Sequence, residues 1–363
     1  MKDIRGLTTG IGSLPHKDTE EALDLIFKYT PKVPFWPQLP RRDVREGMVA
    51  QFCEGLPCIK VDNKGVVFNP EKRDEELLKF YEHLEAEDLD YFRISEDFAL
   101  GLHRFYQRLD RSDLKDVEYI KCQVTGPFTT AASIKDENGR ALLHDYDFMQ
   151  AILKTVAMKA AWQIKLFKKF KKKMIVFIDE PYLGSFGSAY VPINREEVVN
   201  SLAESGEDFK EVVERYIQDL VKDSEFIDEN PVLLGVHCCG NTDWSIFTEI
   251  PKIDVISFDA FNFLERILLY AQNLIGFFER GGILAWGIVP TGDFGPEINA
   301  RALMKKLHNG FKLLINKGLE PEVLKKRLIL TPSCGLGTLN YDKAEPIFRC
   351  LDELSSILST ENI

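Results

Sequence analysis

His237, Cys239 and Cys334 are the residues of this chain whose types and surroundings suit chemistry that packing alone does not require. The run Leu234-Gly235-Val236-His237-Cys238-Cys239-Gly240-Asn241 closes an apolar segment. Side chains alternate along a strand, so His237 and Cys239 share one face and Cys238 takes the other. Cys334 follows another apolar run, in Thr331-Pro332-Ser333-Cys334-Gly335-Leu336-Gly337, where the glycines let the backbone turn tightly and leave the sulfur accessible. One imidazole and two thiols make a soft nitrogen and sulfur donor set that suits zinc. Three protein ligands leave a fourth position open, as in catalytic zinc sites. Spacing by itself leaves an incidental His-x-Cys with free cysteines as open as a metal site. A redox pair of Cys238 and Cys239 is disfavoured, because adjacent cysteines form a strained disulfide. Cys53, Cys58, Cys122 and Cys350 stand in apolar or helical surroundings and read as small core residues.

The elements that must position these groups follow a βα pattern, short apolar runs alternating with longer stretches of helical period. Candidate strands are Gly6–Ser13, Glu118–Val124, Met174–Asp179, Val232–Cys238, Val255–Asp259, Gly282–Gly287 and Leu328–Pro332. Continuous runs such as Met-Ile-Val-Phe-Ile suit parallel strands buried on both faces. Candidate helices are Thr19–Tyr29, Asp74–Leu89, Asp147–Lys173, Phe209–Ile227, Asn262–Glu279, Ala300–Lys317 and Ala344–Leu358. Cys58–Val61 and Val66–Asn69, around Asp62-Asn63-Lys64-Gly65, predict an early β-hairpin insertion. Gly12-Ser13, Thr125-Gly126-Pro127, Asp179-Glu180-Pro181, His237–Cys239, Asp259, Pro290-Thr291 and Cys334 all fall at or just beyond strand C-terminal ends. Active sites of (β/α)8 barrels are built at that end. The expectation is an α/β protein, one (β/α)8 TIM barrel spanning residues 1–363 as a single domain.

Composition narrows the classes. The 363 residues are 45% hydrophobic and 28% charged, with a net charge of -11, which opposes non-specific nucleic-acid binding. No stretch approaches the roughly 20 apolar residues of a membrane span. The opening Met1-Lys2-Asp3-Ile4-Arg5 lacks a signal-peptide core, so a cytoplasmic protein is expected. The lysine run 168–173 reads as a solvated helix end.

His237-x-Cys239 with a distant Cys334 in Pro-Ser-Cys-Gly-Leu resembles the catalytic half of cobalamin-independent methionine synthase. The run His-Cys-Cys-Gly-Asn is also similar to the His-x-Cys-Gly-Asn of corrinoid-dependent coenzyme M methyltransferases. Both belong to a superfamily of barrels that includes uroporphyrinogen decarboxylase. Further matching motifs are Thr8–Ser13, Val124–Pro127 and Ile178–Pro181, so the resemblance covers nearly the whole chain. It implies zinc on His237, Cys239 and Cys334, and it puts Asp259 where methionine synthases carry a Glu near or on the metal. Ser13 matches a residue that meets the amino-acid substrate, and Asp179 the carboxylate that holds its α-ammonium.

The chain also departs from the family. Phe35–Asp43 replaces an acidic segment, and Ser185 stands where a second substrate carboxylate is expected. Gly287–Gly292 replaces the motif with the histidine that assists folate demethylation, and Thr129–Ser133 replaces the stretch with the tryptophan that stacks on folate. The resemblance therefore implies a zinc-dependent methyltransferase for a small, homocysteine-like thiol, with a donor other than folate. A methylcobamide, free or on a partner corrinoid protein, is the expected donor. The alternatives are a metal-free, uroporphyrinogen-decarboxylase-like enzyme, which would use a basic cluster such as Arg41, Arg42 and Arg45, and a non-catalytic barrel with zinc closed by a fourth protein ligand. Phe35, Trp36 and Pro37 suit a pocket wall or a packed loop equally well.

Overall fold

A computed structural model describes residues 4–63, 65–186, 232–292 and 294–360, together with Arg195, Glu196 and Val198. The expected helix Phe209–Ile227 lies outside the described residues. Seven parallel strands form one sheet: β1 (Leu7–Thr8), β4 (Tyr119–Thr125), β5 (Lys173–Asp179), β6 (Val232–Cys238), β7 (Val255–Phe258), β8 (Ile283–Val289) and β9 (Leu328–Pro332). Their order is β1-β9-β8-β7-β6-β5-β4. Strands β2 (Ile59–Asp62) and β3 (Gly65–Phe68) pair antiparallel as the early hairpin. Helices between and after the strands include Thr19–Tyr29, Leu100–Arg111, Tyr146–Phe167, Ala260–Ile267, Ala300–Asn316 and, after β9, Ala344–Thr360.

The expected barrel differs from this sheet in one place. Among the described residues the ladder has seven strands, with β1 and β4 as its edges. Between those edges runs the segment Lys32–Gln38, held by isolated parallel bridges from Gln38 to Ser13 and from Phe35 to Lys121. Gln38 N donates to Gly12 O at 3.0 Å, Leu14 N to Gln38 O at 2.9 Å, and Lys121 N to Pro34 O at 2.9 Å. Pro34 and Pro37 have no N–H to give, so this segment touches both neighbours without forming a regular strand. Glycines and polar groups also cut the first strand from the expected Gly6–Ser13 to Leu7–Thr8.

Two apolar clusters follow from strand alternation. The outward faces pack with the helices into a large cluster that runs from Leu14 to Leu358. The inward faces form a second cluster that includes Leu7, Val33, Tyr119, Ile175, Phe177, Val255 and Ile329. Cys53, Cys58, Cys122 and Cys350 are all buried. Phe35 and Trp36 are fully buried too, with Phe35 stacked on Phe348 and the Trp36 indole donating to Gln163 at 2.9 Å. They pack the segment between the edges rather than line a pocket. Among the described residues, no helix is long and apolar enough to cross a membrane.

Candidate metal centre and active-site cavity

Moving two residues along each inward face, from the apolar cluster toward the strand C-termini, replaces hydrocarbon with chemistry. Phe177 leads to Asp179, Gly235 to His237 and then Cys239, Val255 to Ser257 and then Asp259, and Tyr119 to Lys121 and Gln123. The register sets Thr125, Asp179, His237 and Ser257 side by side across four neighbouring strands.

His237, Cys239 and Cys334 converge, with one ligand atom from each lying within 4.8 Å of the others. His237 Nδ1 meets Ser257 Oγ at 3.0 Å, whereas Nε2 is buried with no hydrogen-bond partner. If Nδ1–H donates to Ser257, the free lone pair is on Nε2, the nitrogen left for a metal. A buried, unpartnered nitrogen is costly unless something binds it. With two thiols beside it, the donor set fits zinc, whose ligand atoms stand roughly 3.5–4 Å apart in a tetrahedron. The Cys334 thiol is held well below its ordinary range because Cys239 donates to it and His237 faces it; Cys239 is pushed up correspondingly. Cys238 points the other way, buried in the outer cluster with its thiol toward Gly240 O at 3.9 Å, so it does not complete a four-ligand site.

Backbone packing fixes the two sulfurs. After Cys239, Gly240 lies against Gly184 so closely that a Cβ would stand 2.6 Å from the Gly184 Cα. After Cys334, a Cβ on Gly335 would meet Ser13 Oγ at 2.3 Å. Ser13 ties this turn down, its carbonyl accepting from Leu336 N at 2.8 Å and its hydroxyl oxygen from Gly337 N at 3.2 Å.

The three ligands open into a cavity of about 300 Å³, lined also by Ile11, Ser13, Gln38, Glu46, Met48, Asp179 and Pro181. Asp179 Oδ1 is buried without a partner, and burial pushes its carboxyl up to about 6, opposed chiefly by the charge of Lys121. Asp259 is placed differently from the other predicted ligands. It caps the helix Ala260–Ile267, with Oδ1 accepting from Asn262 N at 2.8 Å and Oδ2 from Asn262 Nδ2 at 2.7 Å. Both oxygens are thus engaged, and Asp259 is not part of the converging group. Ser185 ends the short 3-10 turn Pro181–Ser185 and is not among the residues lining the cavity.

No protein-family model matches the chain, and no curated protein does. Among solved structures, the chain is similar to a Listeria monocytogenes protein provisionally named a vitamin-B12 independent methionine synthase. The two are 13% identical over 94% of this chain and 86% of that one, with a TM-score of 0.47. It is also similar to a double mutant of a Cellulomonas fimi endo-beta-1,4-mannanase, 13% identical over 99% of this chain and 74% of that one, with a TM-score of 0.41. Likeness at this level assigns no activity, and the site is read from its own residues.

Those residues answer one alternative. Arg42 pairs with Glu46, Arg45 with Asp43, and Arg41 donates to the carbonyls of Gly337 and Thr338. None of the three arginines lines the cavity, so they do not form the basic floor a polycarboxylate substrate needs. Glu46 and Gln38 line the cavity, Ser257 meets the His237 ring and Lys121 places its charge near Asp179, and none of the four is among the sequence-predicted site residues. The sequence carries a signal for Lys121 and Ser257, and for Gln123 beside them. Lys121 and Gln123 alternate inside Tyr-Ile-Lys-Cys-Gln-Val-Thr, and Ser257 is the lone polar residue of Val-Ile-Ser-Phe, so period-2 reading marks all of them as inward. Glu46, in a short 3-10 turn, carries no such mark.

Proposed function

We propose that this chain is a zinc-dependent methyltransferase acting on a small thiol, with the seven-stranded sheet and the segment Lys32–Gln38 together serving as a (β/α)8 barrel. The observation that carries the reading is the buried, unpartnered Nε2 of His237 beside two thiols that line the same cavity. His237, Cys239 and Cys334 would hold the ion, and two thiolates would balance its charge. Zinc, when bound, replaces the proton of a substrate thiol and keeps the sulfur anionic at neutral pH.

The rest is supplied by the chain. Ser257 orients the His237 ring. Ile11, Met48 and Pro181 surround the ligands with apolar wall that limits water beside the reacting sulfur. Asp179 offers its free oxygen to a substrate ammonium, and Ser13, which lines the cavity, stands where the rest of an amino acid would lie. Methyl transfer forms the carbon–sulfur bond and breaks the bond to the donor. Gly287–Gly292 supplies no histidine to protonate a folate, and its Thr291 is bonded to Ser333. The donor in this reading is one that leaves without general acid help, such as a methylated corrinoid, free or on a partner protein. The test is to measure zinc in the purified full chain and product formation from methylcobalamin, with homocysteine and coenzyme M as parallel acceptors. One zinc per chain and methionine formation are expected. A chain that takes up no zinc when supplied with it, or binds zinc yet methylates neither thiol, would overturn the reading.

A further inference from the structure

Lys121 on β4 is fully buried inside the sheet. Its Nζ donates to Ile11 O and, at 2.9 Å, to Gln123 Oε1, and lies 4.8 Å from the centre of the Phe177 ring. Removing an ammonium from water is costly, and an apolar side chain of the same length would fill this space at lower cost. Burial pushes the group down to about 8, with Asp179 the main opposing charge. The ammonium therefore has a task that packing alone does not set.

Its acceptor indicates that task. Strand β1 ends at Thr8, and the chain beyond it is held by isolated backbone bonds to Leu330 and Gln38, which leave the Ile11 carbonyl to Lys121. Ile11, whose carbonyl Lys121 holds, lines the cavity. Two residues on, Ser13 accepts from Leu336 N and Gly337 N, the amides that directly follow Cys334-Gly335. Arg41 holds the far side of the same turn through Gly337 O and Thr338 O. A continuous line of hydrogen bonds and backbone thus runs from the Lys121 ammonium to the turn that presents the Cys334 sulfur.

We propose that Lys121 is a positioning residue for Cys334: it fixes the Ile11–Ser13 segment, and that segment sets the turn carrying the ligand sulfur. Only the metal arm of the test rests on the zinc reading above.

The experiment is a double-mutant cycle in the full chain. Lys121→Met keeps the length and removes the ammonium, Lys121→Gln keeps a donor on a shorter stem, and Ser13→Ala removes the hydroxyl that meets the turn. Two quantities are read: the iodoacetamide labelling rate of Cys334 in zinc-stripped protein, by peptide mass spectrometry, and zinc affinity by chelator competition. For Lys121→Met, labelling of Cys334 is expected to change about fivefold, with Ser13→Ala coupled to it so that the two effects do not multiply. Zinc affinity is expected to fall about tenfold, the scale seen when a ligand's supporting partner is lost. A folded Lys121→Met chain with wild-type labelling and zinc affinity overturns the proposal, as do independent, multiplying effects. If Lys121→Met fails to fold, Lys121→Gln carries the same criteria; if neither folds, Lys121 serves the sheet alone and the proposal falls. Absence of zinc in the wild type sinks the zinc reading, while labelling still decides Lys121.

Discussion

The inward faces of the strands carry two regions at different depths, one apolar and one chemical. At the N-terminal end, Tyr119, Ile175, Phe177, Val255, Ile283 and Ile329 form a closed apolar cluster. Two to four residues later the same faces present Asp179, His237, Cys239 and Ser257. Each strand is one rigid ruler, with a rise of about 3.3 Å per residue and side chains repeating every second position. The cluster below therefore fixes the position of the groups above. Stability and chemistry are drawn from the same strands at different heights, and each end can be perturbed separately.

The largest expected effect comes from the upper end. Cys334→Ser leaves zinc two protein ligands of three, so bound zinc should fall to near background in metal analysis of the dialysed protein. Thiol methylation should drop about a thousandfold, the several kcal/mol of activation that a metal supplies. The melting temperature of the zinc-free chain should stay close to wild type, because Cys334 is only half-buried. A large fall in that melting temperature would show that the site also holds the fold together.

Phe177→Ala attacks the lower end. Phe177 is fully buried, and its ring fills the space that a side chain at Gly235 on the next strand would take. Removing it should cost about 3–5 kcal/mol of stability, read by denaturant unfolding. Zinc bound per folded molecule should be unchanged at low temperature. Loss of zinc from folded protein would break the separation of the two ends, with Lys121, which lies against the same ring, as the first suspect.

How legible each end was in the sequence follows from the same geometry. Continuous apolar runs such as Met174–Ile178 identified the buried parallel strands, because such a run has few other ways to bury both faces. Alternation placed His237 and Cys239 on one face and Cys238 on the other. The segment Lys32–Gln38 carries no strand signal, because its prolines erase the pattern even where its remaining amides and carbonyls pair with both edges. The resemblance puts Asp259 near or on the metal, but this strand end is also the N-cap of a helix, and Asn262 three residues on engages both carboxylate oxygens. Glu46 could not be found, since a loop residue acquires its neighbours only when the chain closes around it.

A pair of buried aspartates gives the finest comparison. Burial pushes both Asp179, at the upper end, and Asp254, just before β7 at the lower end, up to about 6. Asp254 Oδ2 accepts from Leu234 N at 2.9 Å, a structural tie between neighbouring strands, whereas Asp179 keeps an oxygen without a partner. The ordinary value for Asp is 3.8, so the folded state binds this proton more tightly than the unfolded chain does. The cost of holding Asp254 ionised is therefore absent below about pH 4, grows as pH rises, and is fully present above about pH 6. Asp254→Asn removes that cost. Its melting temperature relative to wild type should become more favourable from pH 4 to pH 7, by a few degrees at most, with thiol methylation unchanged. Asp179→Asn should shift stability in the same direction while raising the KM for an amino-thiol acceptor. A rise in KM from Asp254→Asn, or an unchanged KM from Asp179→Asn, would mean that the free oxygen of Asp179 is not what separates a binding carboxylate from a structural one.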